Sequence, residues 1–540
     1  QSGRAVAFLT RSELLLSRLP AAPCRILEVG VGLGTTYAML TSKGYQVHGI
    51  TPDAQQIAYI REQAGNDISI SCLRLEDYQA ASESYDVVLF QESSQYIEPL
   101  VIFNQTLDLL VTSGSLLIID EFALRRIQPG MDGLNQIDEM VALAERFGFE
   151  LVERLDLSSL AAPTLDYLLK ATTAHRQQLI DDLDLQPGML DELYVSNQAY
   201  REKYASGRYG YGLLHFRKKS APKWRMRLVE DRHTDAVLAL FERVFAHHME
   251  ADMLRWKYAE NRGRGIGIWR DGRLIGHYGG MQRDILFFGQ PATAVQIGDV
   301  MVESSERGVF TRKGPFTLMT ATFLERYIGF GKPYLLGFGF PGHRHMKLAE
   351  IQGLYASVGC MIELSWPALS RMPKWLTCLQ VVGAEDNWAA SAIDELWQQM
   401  AADLNSAIVG VRDWQYLAHR YFSHPRHDYQ VVLVKDRFGV RFRVALVLRR
   451  EQGRCELVDV VAPLRDIPVA IAHARRLAGI GGNTRLFCRI TEGFASLFET
   501  VGCIRQELDI HIPANIWSSG PAPDTLQGHW WLMSGDTDYR

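Results

Sequence analysis

The sequence predicts an α/β chain: a doubly wound, mainly parallel sheet followed by two smaller α+β units. Three observations carry that prediction. Between Arg25 and about Lys219, short apolar runs alternate with longer amphipathic segments, the order that sets parallel strands in a sheet with helices on both faces. From Trp224 onward one plan occurs twice, at Met253 to Met281 and at Leu417 to Val447: a basic-Tyr pair, a short loop, a strand, a charged turn and a second strand. Finally, 540 residues exceed what one core ordinarily fills.

In chain order, CRILEVG, YQVHGI, ISCLRL, YDVVLF and GSLLIID read as strands, with DAQQIAYIREQ and LVIFNQTLDLLV as helices between them. YGYGLLHFRKK reads as a last strand, and the cluster from Lys218 to Lys223 as a linker. In the repeated plan Lys257 and Tyr258 align with Arg420 and Tyr421, and the turn at Asp271 with that at Asp436. This pattern indicates a duplicated α+β unit. The expected domains are residues 1–220, 224–368 and 369–540. Trp256 and Trp414, on the first helix of each repeat, are expected to pack.

Composition narrows the function. Apolar residues are 47% and charged residues 22%, so each part can bury a core. A net charge of -5 with no long basic run argues against a nucleic-acid binder held by phosphate contacts. The seven cysteines show no CxxC pair and no zinc spacing, so buried thiols in a reducing compartment are expected, with no metal site. No apolar run of about 18 residues appears and QSGRAVAF lacks a leader-like core, so a cytoplasmic protein without a membrane span is expected.

The first motif is E-x-G-x-G-x-G from Glu28 to Gly34, with glycines at Gly30, Gly32 and Gly34. Only Leu33 separates the last two glycines, where a dinucleotide fingerprint has two residues. This spacing resembles motif I of class I S-adenosylmethionine (SAM) methyltransferases, which have a Rossmann-like fold. The resemblance extends over about 200 residues. It implies that the glycines lie beneath the methionine part of SAM and that Glu28 faces its ammonium group. YQVHGITPD then resembles the ribose-binding strand end, with Thr51 where the family usually has an acid and Asp53 two residues on. CLRLEDYQ supplies Glu76 and Asp77 where the family caps the adenine. Gln91, Glu92, Gln95 and Tyr96 leave the fourth strand beside the implied sulfonium. There Glu92 is a candidate general base, or a holder of a cationic acceptor, or the cap of the next helix. Asp120 and Glu121 end the next strand. Tyr194 to Tyr211, rich in Tyr and Arg, reads as a lid over the acceptor or as an exposed loop.

Residues 226–366 resemble the GNAT acyltransferase superfamily, and the tandem plan over about 310 residues resembles GNAT proteins of surface-polysaccharide gene clusters. RLVEDRHTDAVLALFERVF, the hairpin through GIWRDGRLIGHYGG, the strand AVQIGDVMVES and the Gly-Phe-Pro strand YLLGFGFP carry the resemblance. SERGVFTRKGPF stands where that superfamily binds the diphosphate of coenzyme A, which implies an acetyl-CoA or other acyl-CoA donor held by Arg307, Gly308, Thr311, Arg312 and Lys313. The loop departs from the family pattern at Ser305 and Phe310. The second unit has no such loop and reads as a degenerate copy. Asp299 and Glu303 are candidate bases, His343 and His345 alternative bases, and Tyr355, placed on the helix after the next strand, a candidate acid.

These resemblances imply a bifunctional transferase that methylates and N-acylates a small-molecule or carrier-bound acceptor, such as an amino sugar or a natural-product intermediate. One alternative is a polyketide-type starter module whose GNAT-like part decarboxylates, with Thr311, His343 and His345 near the thioester. Against it stands the lack of a carrier segment in the sequence. Another alternative is a methyltransferase with a non-catalytic GNAT-like binding module.

Overall fold

The computed structural model describes residues 11–125, 134–183, 185–219, 222–307, 314–370, 377–439, 441–451 and 453–537. The described chain divides after Arg227 into two compact units. In the first, β1 (Arg25–Val29), β2 (Gln46–Thr51), β3 (Ile70–Cys72), β4 (Tyr85–Gln91) and β5 (Leu110–Ala123) pair in parallel. The edge is completed by β6 (Phe149–Asp156) and β7 (Tyr209–Lys218), giving the order β3-β2-β1-β4-β5-β7-β6 with β7 antiparallel to both neighbours. Ile26, Leu27, Val87 to Phe90 and Leu116 to Ile119 are wholly buried, as continuous apolar strands are when helices cover both faces. The strand order reverses between β1 and β4, and in open α/β sheets the crevice at that reversal takes the ligand.

Two sequence expectations change in this unit. ISCLRL is a strand only to Cys72, and Leu75–Asp77 form a single 3-10 turn. The Tyr194 to Tyr211 stretch is not an exposed loop: Pro187–Ala205 is one 19-residue helix, and Tyr209 onward is β7. The physical reason lies in spacing. Tyr200 and Tyr204, one turn apart on that helix, both donate to the Glu121 carboxylate, at 2.9 and 2.6 Å.

β8 (Arg225–Leu228) leads out of the first unit. The second contributes β9 (Gly263–Arg270), β10 (Arg273–Phe287), β11 (Gln290–Val302), β12 (Leu336–Phe338), β13 (Tyr355–Pro367) and β14 (Thr377–Val382). There follow β15 (Ile408–Gly410), β16 (Gln430–Asp436), β17 (Phe442–Glu451), β18 (Arg454–Val461), β19 (Arg485–Thr491), β20 (Ile504–Asn515) and β21 (Trp530–Trp531). Asp271 and Gly272, both at positive φ (50° and 78°), close the β9–β10 hairpin, the two-residue turn that Asp-Gly favours.

One plan recurs within the unit. β9, β10 and β11 are antiparallel neighbours, and β12 joins β11 in parallel after the helix Pro315–Tyr327. β16, β17 and β18 repeat this, with β19 parallel to β18 after the helix Ile467–Ile480. The halves nevertheless exchange strands. β13 lies between β19 and β20 in the second sheet, while β15 and β21 extend the first sheet beyond β10. A boundary at 368/369 therefore does not separate two compact bodies. Tyr355 is likewise not on a helix: the helix His343–Ile351 stops before Gly353 at φ 73°, and Tyr355 opens β13.

Candidate functional site

In the first unit, parallel pairing puts Glu28 beside Leu89, so the turn after β1 and the turn after β4 meet. Gly30, Gly32 and Gly34 all have positive φ (80°, 55° and 78°). A methyl group on Gly30 would lie 2.5 Å from Ser93 Cβ, and one on Gly34 would lie 2.9 Å from Ile60, so packing requires both glycines. A methyl group on Gly32 would meet nothing within 4 Å, so that glycine faces open space. Gly34 then caps the helix Thr35–Ser42.

Glu28 is 2% exposed; Gln91 Nε2 reaches its Oε1 at 3.5 Å, and among the described residues its Oε2 has no hydrogen-bond partner. Burial pushes this carboxyl up to about 8, with Gln91 and the charge of Arg11 pulling the other way. At the end of β2, Thr51 donates to Gln56 Oε1 at 2.8 Å, and Asp53 caps the helix Ala54–Ala64 through Oδ1. Glu76 and Asp77 are exposed on their 3-10 turn. Glu92, at φ 54°, caps no helix: it accepts from Arg11 at 3.0 Å and Tyr211 at 2.7 Å, while Glu98 caps the next helix. Asp120 is fully buried and accepts from Ser94 Oγ and the backbone of Gln95, so it fixes the turn after β4. Tyr96 is exposed.

In the second unit, β11 and β12 pair only over Ala294–Gln296 with Leu336–Phe338, then part. Where they part lies a cavity of about 910 Å³, with Ile297 to Val300 on one wall and Gly339 to Pro341 on the other. Phe241, Phe245, Met253, Phe316 and Met346 make much of it apolar, and Lys257, Tyr278, Asp299 and Tyr355 supply polar groups. Of the sequence candidates, Asp299, His345 and Tyr355 line this cavity.

Asp299, at φ 50°, accepts from Lys257 at 2.9 and 3.1 Å and from Tyr258 at 2.8 Å. Burial alone would raise its carboxyl, but the Lys257 charge and these hydrogen bonds outweigh that and hold it below the ordinary range. Its backbone oxygen takes the Nδ1 proton of His277, a buried histidine that burial keeps neutral. Tyr355 is hydrogen-bonded to the buried Tyr278, and burial raises both phenols, so both stay protonated.

Glu303 and His343 stand elsewhere. Arg243 and Arg273 hold the two Glu303 oxygens at 2.6 and 2.8 Å, which makes Glu303 the anchor of the Ser304–Glu306 turn and removes it as a free base. His343 is exposed at the start of its helix. Arg307 donates through Nε to Val302 O at 2.7 Å. Gly308, Thr311, Arg312 and Lys313 lie outside the described residues. Trp256 is buried, stacked on His419, and Trp414 tilts against Phe422.

The second half carries a counterpart of this arrangement. Asp459 on β18 accepts from Tyr421 at 2.7 Å and from Arg412 at 2.9 Å, as Asp299 on β11 accepts from Tyr258 and Lys257. There the gap beyond the β18–β19 pairing is filled. Thr491 bonds to Leu532, Ser534 donates to Glu456 at 2.6 Å, and Asp536 shares Arg412 with Asp459. A void of only about 10 Å³ remains beside Arg420 and Ser534. Sequence reasoning saw the basic-Tyr pairs as repeat markers and missed their partners, as it missed Tyr278.

A reversed parallel sheet with a glycine turn, and a split antiparallel sheet with a polar-ended cavity, together define a fusion of two group-transfer domains. Residues 27–119 match the family described as a methyltransferase domain, and residues 225–346 match that described as an acetyltransferase (GNAT) domain. The chain thus carries a methyltransferase domain and a GNAT domain. No curated protein matches its sequence. Among solved structures, a Galdieria sulphuraria protein described as a putative sarcosine dimethylglycine methyltransferase is 15% identical, with 40% of this chain and 86% of that one covered at a TM-score of 0.35. A cyclopropane synthase from Mycobacterium tuberculosis is 18% identical over 39% and 84%, at 0.35. An Enterococcus faecalis V583 protein described as a probable N-acyltransferase is 13% identical over 56% and 74%, at 0.43. The two domains rest on the family matches, not on these likenesses. Among the described residues no helix is long and apolar enough to cross a membrane.

Proposed function

We propose that this chain is a bifunctional cytoplasmic enzyme that methylates with SAM and N-acylates with an acyl-CoA, acting on an amino sugar or a natural-product intermediate. The observation that carries the reading is Glu28: a buried carboxyl with one oxygen that has no partner among the described residues, beside a glycine turn whose central residue faces open space. That donor set fits SAM. A cationic amine at Oε2 compensates the burial, and Gly32 leaves room for a ligand where a side chain would obstruct it. When bound, SAM supplies an activated methyl group. Glu28, Gly30, Gly32 and Gly34 bind it and Gln91 orients Glu28. Thr51, Asp53, Glu76 and Asp77 shape the nucleoside end. Glu92, with one oxygen engaged by Tyr211, faces the acceptor, and alignment accounts for most of the rate.

For acylation, the parted strands support the reading. Beyond Gln296 the β11 edge offers backbone groups to an extended amide-bearing donor, and the loop from Arg307 through Gly308, Thr311, Arg312 and Lys313 takes its diphosphate. Tyr355 is the acid, its proton free toward the cavity when Tyr278 donates to it. Asp299 holds Lys257 and Tyr258 in place, and His345 is the base within reach of the cavity. The decarboxylating alternative is less favoured because His343 does not line the cavity. The filled second gap supports a degenerate, shape-giving second GNAT-like unit.

Calorimetric titration of the whole chain with S-adenosylhomocysteine and, separately, acetyl-CoA tests both assignments. Both are expected to bind; Gly32→Asp removes only the first, and Tyr355→Phe lowers acyl-transfer kcat by about 10²-fold with KM unchanged. Failure of S-adenosylhomocysteine to bind would sink the methyltransferase reading. Failure of acetyl-CoA alone would make the second unit a binding module.

A further inference from the structure

Outside the sites above, the fold brings two imidazoles and a carboxylate together. His343 starts the helix His343–Ile351, while Asp509 and His511 are two apart on β20 and so share one face. One donor atom from each lies within 4.8 Å of the others. The geometry points to a divalent metal site of two histidines and one aspartate.

Three features suit this reading. The His343 backbone N–H donates to Asp509 Oδ1 at 3.0 Å, which fixes the carboxylate against the helix start. The His511 ring stands with Nδ1 3.5 Å from Ser357 Oγ and Nε2 3.8 Å from Asp509 Oδ1. One ring nitrogen is thus turned to an orienting hydroxyl and the other to the cluster, the arrangement that holds a ligating histidine. Metal–ligand bonds of about 2.0–2.1 Å bring ligand atoms to about 3.3 Å of one another in a tetrahedron, so small rotations of the exposed side chains close the set. Two imidazoles and a carboxylate without thiolate select a borderline cation such as Zn²⁺ or Co²⁺ over Mg²⁺ or Ca²⁺. Three protein ligands leave at least one position for water or a ligand. Pro341 and Pro513, each two residues from a ligand, line the acyl-transfer cavity. The ion ties together the two elements that carry them.

The test uses the full chain freed of any affinity tag, titrated with Zn²⁺ by calorimetry and with Co²⁺ by visible absorption. One equivalent is expected, with the d–d bands of a low-coordinate Co²⁺ site. His343→Ala and His511→Ala should each weaken binding by at least about tenfold. His427→Ala, which alters the separate His424–His427 pair, should leave it unchanged. Circular dichroism checks the fold, and Asp509→Asn gives the same reading if either histidine variant is lost. Absence of saturable binding, or binding that survives both histidine substitutions, would overturn the site.

Discussion

Glu28 shows how one residue couples folding, protonation and ligand capture. Its proton is held more tightly in the folded chain than in the unfolded one, so from about 4.5 to about 8 the folded state binds more protons and this group makes stability fall as pH rises. Above about 8 no further loss follows. Glu28→Gln should flatten that slope, raise the stability of the ligand-free first unit at pH 8 by a few kcal/mol at most on the order of one pKa unit per ~1.4 kcal/mol, and weaken S-adenosylhomocysteine binding. Urea titrations at pH 5 and pH 8 check the first part. Below pH 8, capture of a cationic amine should also release a proton, which appears as a dependence of the binding heat on buffer ionisation enthalpy. An unchanged slope in the glutamine variant would mean that Glu28 is not the group that titrates. The glutamate and its glycines were legible in the sequence because their spacing is local; the missing partner at Oε2 was not, since it depends on how β4 covers β1.

At the scale of elements, the twin aspartates on β11 and β18 show what the duplication preserves. Each sits on the third strand of the repeated plan and takes a tyrosine hydroxyl together with a buried cation. In the half whose gap is filled the arrangement persists, so its common part is structural: it ties the helix carrying the basic-Tyr pair, or the segment just before it, to the sheet. Asp299→Asn takes from Lys257, only 4% exposed at its side chain, the carboxylate charge it meets at 2.9 Å. A cost of about 3–5 kcal/mol is expected, as for other broken buried pairs, with much of it recovered in the Lys257→Met, Asp299→Asn double variant. Chemical denaturation of the three variants measures this, and a single-variant cost under about 1 kcal/mol would make the pair dispensable. The sequence displayed the repeat but hid the pairing, because the acid stands on a later strand than the pair it holds. It hid Tyr355's strand for a related reason: HRHMKLAEIQG does form a helix, and only Gly353 marks how soon it ends.

For the whole molecule, the first unit was readable strand by strand except for β6, because its parallel neighbours are joined by local crossovers and their runs are continuously apolar, whereas β6 alternates buried or half-buried residues with exposed ones. The second was not, because β13 is enclosed by strands from far later in the chain. That exchange makes the two halves of this unit interdependent. Within residues 224–368, β13 has neither β19 nor β20 to satisfy its backbone groups, and its buried face, with Ile362, Leu364 and Trp366, loses the core it shares with Leu486 and Cys488. Within 369–540, β19 and β20 lose the strand between them, and β15 with β21 loses β10. Unpaired strand edges with apolar faces aggregate instead of folding. Expressed singly, the two fragments should therefore be insoluble or lack a cooperative melt, and co-expressed they should associate into one body with a single transition. Solubility, circular dichroism and co-purification decide this. A cooperative melt in the isolated 224–368 fragment would show that this half folds without the second, whose part would then be confined to the wall that Pro425, Arg426 and Pro513 give the cavity.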